Sequence, residues 1–413
     1  MLSASLVCVL WAIATLAWAV CSLVLLRLSP SRRRSIIRWG YGGVAIVMLA
    51  LSTRYDVLSD DAYRYRWDGW VVAHGVDPYS HAPADTALKD LGYVSGNGSS
   101  YPSVVPYGHL RTIYPPGAQV VLGAITLISK TDERVFKMIW WGIIVVLLLS
   151  ILRMVREEHR ALLLVVVSCP VVLLHGIMDI HLDVLMALLT AIAIILNGRD
   201  RPLLASIVLA CAITVKFLPV LAIPILLYGR SWKQRLLILG VLGGVVALIY
   251  APFISMSVFG SLSTFAEKWQ SNSALYSLLS AFMNDGTVRI VMAGMGLAGV
   301  IKIWWLYRTD PAVAATMSVI VLLLCSPVVH PWYLILPLVM FPFAPLRSTL
   351  VWGCTMCIYG LAYTHYKGDG VWIDHPIALV CEFVPVVIAL ALDVQRGPLL
   401  FRDEHRVNLA GVA

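Results

Sequence analysis

Two adjacent carboxylates, Asp60 and Asp61, open the longest polar stretch of this chain, residues 59–119, directly after an apolar run. Paired carboxylates suit two kinds of chemistry. One of them takes a proton from a reacting hydroxyl, or both hold a divalent cation. A blander use also exists, because Asp is a favoured helix N-cap. The stretch begins SDDAYRYRWDGWVVAHGVDPYSHAP and closes HLRTIYPPGAQ. Connections longer than about 12–15 residues are as a rule functional or disordered, and the density of Tyr, Trp and Pro here argues against disorder. If the start is helical, Asp61, Tyr65 and Asp68 fall on one face at i, i+4 and i+7. Tyr114-Pro115-Pro116 fixes a rigid turn that folds the segment back, since Pro locks its own φ and restricts its predecessor.

Other reactive side chains interrupt apolar runs, where ionisable groups are expensive and mark ligand sites by default. Lys216 lies in the middle of the apolar run 202–228 and is followed by Pro219. His181 and Asp183 close the corner HGIMDIHLD. Lys268, Trp269 and Asn272 lie in EKWQSNS, and His330 begins HPWY.

The elements that must position these groups are membrane helices. Of 413 residues, 60% are hydrophobic and 13% charged, with a mean hydropathy of +0.83. Soluble domains average roughly 45–50% apolar and 25% charged. The chain is therefore a polytopic all-α membrane protein. The net charge of +8 does not point to nucleic acid, because Arg and Lys cluster in short loops between apolar runs, as the positive-inside rule requires. The eight Cys nearly all lie within apolar runs and read as packing residues, the Cys354–Cys357 pair included. The first apolar run lacks a basic start and a cleavage site, and reads as a retained span.

With the basic loops placed in the cytoplasm, spans fall near 3–26, 37–55, 135–152, 161–175, 182–197, 235–254, 289–307, 312–329, 331–346, 348–364 and 374–394. That makes roughly eleven crossings at about 20 residues each. Residues 120–129 are apolar but too short to cross, and read as a re-entrant or interfacial helix. Residues 202–228 carry Arg on both flanks and read as a hairpin of two half-helices, tolerated where it lines a cavity. The whole forms one membrane-embedded domain, 1–413, with an outer loop at 56–119, the hairpin at 202–228 and a second outer loop at 255–287. The polar clusters then converge on the outer face, as at an active site.

Taken in order, DDAYRYRWDG, GVDPY, TIYPPGAQ, HGIMDIHLD, KFLPVLAIP, FAEKWQSNS and SPVVHPWY resemble the GT-C class of integral-membrane glycosyltransferases. The nearest resemblance is to bacterial polyprenyl-phosphate-mannose-dependent mannosyltransferases and to the eukaryotic first mannosyltransferase of glycosylphosphatidylinositol assembly. The resemblance implies transfer of a sugar, mannose in those relatives, from a polyprenyl-phosphate donor to a glycolipid or glycan acceptor. The transfer proceeds with inversion, at the outer face of the cytoplasmic membrane, without a metal or other cofactor and without nucleic acid. Membrane lipids are the remaining partners.

Inverting transfer needs a base for the acceptor hydroxyl, cationic groups for the leaving phosphate and a greasy groove for the prenyl tail. The family's catalytic Asp matches the Asp60-Asp61 position, with Asp61 the better fit. A divalent metal at this pair is the weaker alternative. His330, Lys216, Lys268 and Arg64 are the candidates for the phosphate. His181, Asp183, Tyr65, Asp68, Asn272 and Tyr114 are candidates for sugar or acceptor hydroxyls, and Trp67, Trp269 and Trp332 for stacking on sugar rings. Three rivals remain open: a transporter or flippase of lipid-linked or anionic cargo, a non-catalytic membrane scaffold, and the same reaction with another sugar such as arabinofuranose or glucose.

Overall fold

The computed structural model describes residues 4–54, 58–253 and 261–399. Residues 56–57 of the first expected outer loop, 255–260 of the second, and the tail from 400 lie outside the described residues. The described chain is mostly helical. The first half runs α1 (Ala4–Arg27), α2 (Pro30–Ser52), α3 (Asp61–Ala73), α4 (Pro116–Ser129), α5 (Glu133–Met154), α6 (Arg160–Val167), α7 (Leu182–Gly198), α8 (Pro202–Val215) and α9 (Ile223–Leu227). The second half runs α10 (Trp232–Tyr250), α11 (Leu262–Lys268), α12 (Ala274–Leu279), α13 (Asp285–Leu306), α14 (Pro311–Leu324), α15 (Ile335–Met340), α16 (Arg347–Thr355), α17 (Tyr359–Asp369) and α18 (Pro376–Arg396). Helix satisfies every backbone group internally, which is why long runs of Leu, Ile, Val and Ala adopt it in a medium without water.

Among the described residues, six helices are long and apolar enough to cross a membrane: α1, α2, α5, α10, α13 and α18. A seventh crossing is available if α6 and the π-helix Val172–Met178, bent by 66°, form one broken span. The eleven crossings expected from hydropathy are not reached. The shortfall has a physical cause. Helices α7, α8 and α14 have 17, 14 and 14 residues, and α7 and α14 are buried on nearly every side. An interior helix is apolar all round, as a lipid-facing span is, so composition alone counts both. By contrast α10 buries only Ile238 and Leu242 along its 19 residues, and leaves the rest of its apolar surface for lipid.

Two close approaches set the geometry of the polar segment. A Cβ on Gly69 of α3 would sit 2.7 Å from the Leu122 carbonyl of α4, and one on Gly117 would sit 2.8 Å from the Thr214 backbone at the end of α8. Glycine permits that packing and locks α3 and α4 against α8. The rest of the segment has its own small core, in which Trp67, Val71, Leu88, Tyr101 and Val105 pack together. A two-stranded antiparallel ribbon, β1 (Tyr93–Val94) and β2 (Ser100–Tyr101), pairs Tyr93 with Tyr101.

The run 202–228 breaks where Lys216 stands. Helix α8 ends at Val215, Lys216 is extended (φ −153°, ψ 151°), and a 3-10 turn, Leu218–Ala222, leads into α9. The chain then returns to its start, because Arg230 pairs with Asp200 at 3.3 Å and donates to Asn197. Lys216 and the turn thus form the inner tip of the segment.

Candidate active site

Asp61 begins α3 and is aimed by the turns that follow. Asp77 accepts the Tyr79 N–H at 2.7 Å in an Asx-turn, which sends the Tyr79 hydroxyl to the Tyr114 carbonyl at 2.6 Å. The Tyr114 hydroxyl in turn donates to Asp61 Oδ2 at 3.2 Å. Gln119 closes the same turn from the other side, donating to Asp68 at 3.3 Å and to Thr112 at 3.0 Å. The DD, DPY and YPP segments therefore meet in space.

The DD and YPP segments line a cavity of about 640 Å³, with Tyr79 behind Tyr114. Asp60, Asp61, Arg64, Asp183, Lys216 and His330 line its polar part, and Phe217, Val220, Leu221, Leu322 and Leu323 line an apolar wall. Lys216 Nζ lies 2.6 Å from Asp183 Oδ2, with the Tyr333 and Tyr114 rings 5.4 and 5.9 Å away. This half-buried cation is held in place by one carboxylate and still faces the cavity. His330 Nδ1 lies 3.0 Å from the Tyr359 hydroxyl. Arg64 pairs with Asp68 at 3.3 Å and donates to the Leu110 carbonyl. Its Nη1 has no hydrogen-bond partner.

Asp60 occupies the N-cap position of α3 but makes no side-chain cap. It pairs instead with Lys367 at 2.6 Å, across 307 residues of sequence. The two carboxylates consequently differ. Asp60 is neutralised by a lysine at the rim, while the Asp61 carboxylate, among the described residues, meets the Tyr114 hydroxyl and the His181 imidazole, with Nδ1 at 3.8 Å. Burial pushes the Asp61 carboxyl up to about 6. Lys216 and the Tyr114 hydroxyl oppose that rise, and Asp183 and Asp60 add to it.

Not every expected residue faces the cavity. Lys268 ends α11 with its side chain exposed outside the cavity lining, while its neighbour Trp269 lines the cavity. Trp67 is 1% exposed in the core of the loop. Asn272 is buried, and ties Glu382 (3.1 Å) and Asp374 (3.0 Å) to the chain. Tyr65 and His181 lie one layer behind the cavity wall, bonded to each other at 3.2 Å. Asp68 is likewise set back, on Arg64 and Gln119. Trp332 lines the cavity, but its ring is occupied by stacking on His181 (3.7 Å) and His330 (4.5 Å). The reading from sequence missed an aromatic wall formed by Tyr359, Tyr363, Tyr366 and Trp372, and Lys367 beside it. A signal was present, since Tyr359, Tyr363 and Tyr366 recur at spacings of four and three, one face of a helix.

Two comparisons bear on this arrangement. A family model described as alpha-(1->6)-mannopyranosyltransferase, N-terminal domain, matches residues 1–229. That stretch holds Asp61, Tyr114, His181, Asp183 and Lys216. The chain is also similar to Alpha-(1->6)-mannopyranosyltransferase A of Mycobacterium tuberculosis. The two are 24% identical over 382 residues, covering 83% of this chain and 73% of that protein.

Proposed function

Because the chain belongs to the alpha-(1->6)-mannopyranosyltransferase family, we propose that it transfers mannose from a polyprenyl-phosphate donor to a hydroxyl of a glycan or glycolipid acceptor. The reaction takes place at the outer face of the cytoplasmic membrane and proceeds with inversion. The observation that carries this reading is the composition of a single cavity. A carboxylate and a lysine share it with a wall of Phe217, Val220, Leu221, Leu322 and Leu323. A water-soluble nucleotide-sugar has no use for that wall, whereas a lipid-linked sugar does.

The chemistry follows from the placement of charge. The sugar's anomeric carbon lies between the phosphate and the acceptor hydroxyl. Asp61 takes the hydroxyl proton as the new C–O bond forms, and the anomeric C–O bond to phosphate breaks on the opposite face. Lys216, with His330 and Arg64, receives the charge that develops on the leaving lipid phosphate, as preorganised donors in a dry site do. An α product formed with inversion requires a β-linked donor phosphate. The Tyr114 hydroxyl holds the Asp61 carboxylate in line, and Asp183 holds Lys216.

The test uses the full chain in lipid with radiolabelled polyprenyl-phosphate-mannose and an oligomannoside acceptor, followed by linkage analysis of the product. Transfer of mannose into an α-1→6 bond supports the proposal. Donor binding without transfer to any acceptor hydroxyl moves the function to carriage of the lipid-linked sugar. Transfer of a different sugar in preference to mannose replaces the donor assignment.

A further inference from the structure

The corner HGIMDIHLD holds more buried polar chemistry than the cavity uses. His175, Asp179 and His181 are each 0% exposed, and each offers one ligand atom within 4.8 Å of the others. His175 Nδ1 is 3.3 Å from Asp179 Oδ2. Neither ring nitrogen of His175 has a hydrogen-bond partner, and neither does Nε2 of His181. His181 Nδ1 is already engaged by the Tyr65 hydroxyl, so its second nitrogen is the one left over.

The backbone is distorted to bring these groups together. Val172–Met178 is a π-helix, a form that concentrates at functional sites. Ile180, a β-branched residue, sits at φ +51°, in the left-handed region such residues avoid. Strain of this kind persists where the surrounding structure enforces it. The two imidazoles are also fixed in orientation. His175 meets the edge of Trp11 at 5.1 Å, and His181 stacks on Trp332.

We propose that His175, Asp179 and His181 form a buried site for one transition-metal dication. Two imidazoles and a carboxylate suit zinc better than the oxygen-seeking magnesium or calcium. Zinc bonds of about 2.0–2.2 Å place neighbouring ligand atoms roughly 3.4 Å apart, so the three side chains close by about an ångström on binding. The ion sits behind Trp332, whose ring separates it from the cavity, and takes no part in bond breaking. It holds His181 against Tyr65 and thereby backs the wall that carries Asp61. This inference does not depend on which sugar or carrier the protein uses.

The test is the metal content of the full-length chain, purified in detergent, with any affinity tag cleaved. The protein is equilibrated with zinc and stripped of loose metal on a chelating resin. Wild type retains one zinc per chain, and His175→Ala retains none. Replacing zinc with cobalt gives a visible d–d absorption band in wild type that His175→Ala lacks. Should His175→Ala fail to fold, Asp179→Asn and the cobalt spectrum of wild type decide the matter. Folded wild-type protein that holds no zinc and gives no cobalt spectrum overturns the site, as does zinc retained equally by both variants.

Discussion

At the scale of single residues, the account rests on the different surroundings of three neighbours. Asp60 is spent on Lys367 and Asp183 on Lys216, which leaves Asp61 as the carboxylate able to accept a proton. Its raised pKa sets the sign of the pH dependence. Protonated Asp61 cannot act as a base, so turnover falls as the pH drops through about 6 and is level above it. A pH–rate profile under saturating donor checks this, and a dication bound at His181 shifts the limb to lower pH by favouring the carboxylate. Lys216 calls for a paired test. Removing it alone strands Asp183 as a buried charge, which is strongly destabilising. The double variant Lys216→Met with Asp183→Asn should restore folded protein yet bind the donor about ten- to a hundredfold more weakly, the loss of one charge-assisted hydrogen bond. Equal donor affinity in wild type and the double variant, measured by equilibrium binding, removes Lys216 from the phosphate site. The Asp60-Asp61 pair and Lys216 could be singled out in the sequence because charge in apolar context stands out. The set-back roles of Tyr65 and Asn272 could not, since their partners lie 116 and 110 residues away.

At the scale of elements, the site depends on how closely three helices pack. Gly117 sits where α4 meets the last turn of α8, two residues before Lys216 begins its extended step. Gly117→Ala should push α4 off α8, lowering stability by about 1–3 kcal/mol through overpacking and weakening donor binding along with it. Thermal unfolding and donor affinity measured on the same preparation check this, and an unchanged melting temperature contradicts the close contact. The break in the helix was legible from Lys216 and Pro219 set inside an apolar run. The number of crossings was not. Leu, Ile and Ala fill α7 against protein just as they fill α10 against lipid, and hydropathy gives no sign of which neighbour a face has.

At the scale of the whole molecule, the proposed topology puts the basic loops and the polar segment on opposite sides of the membrane. A cysteine placed at exposed Gly98, at the tip of the ribbon in a cysteine-free background, should react with an impermeant maleimide added outside intact cells. One placed at Lys233, exposed in the first turn of α10, should react only after lysis. The reverse pattern inverts the topology. In the proposed mechanism one carboxylate performs the chemistry while the remainder of the cavity binds. The most direct test compares Asp61→Asn with wild type for mannose transfer and for donor binding on the same purified protein. The substitution keeps the shape and removes the base, so transfer should fall by about 10²–10⁴-fold with donor affinity within a factor of about three of wild type. Wild-type transfer rates in Asp61→Asn would contradict the account.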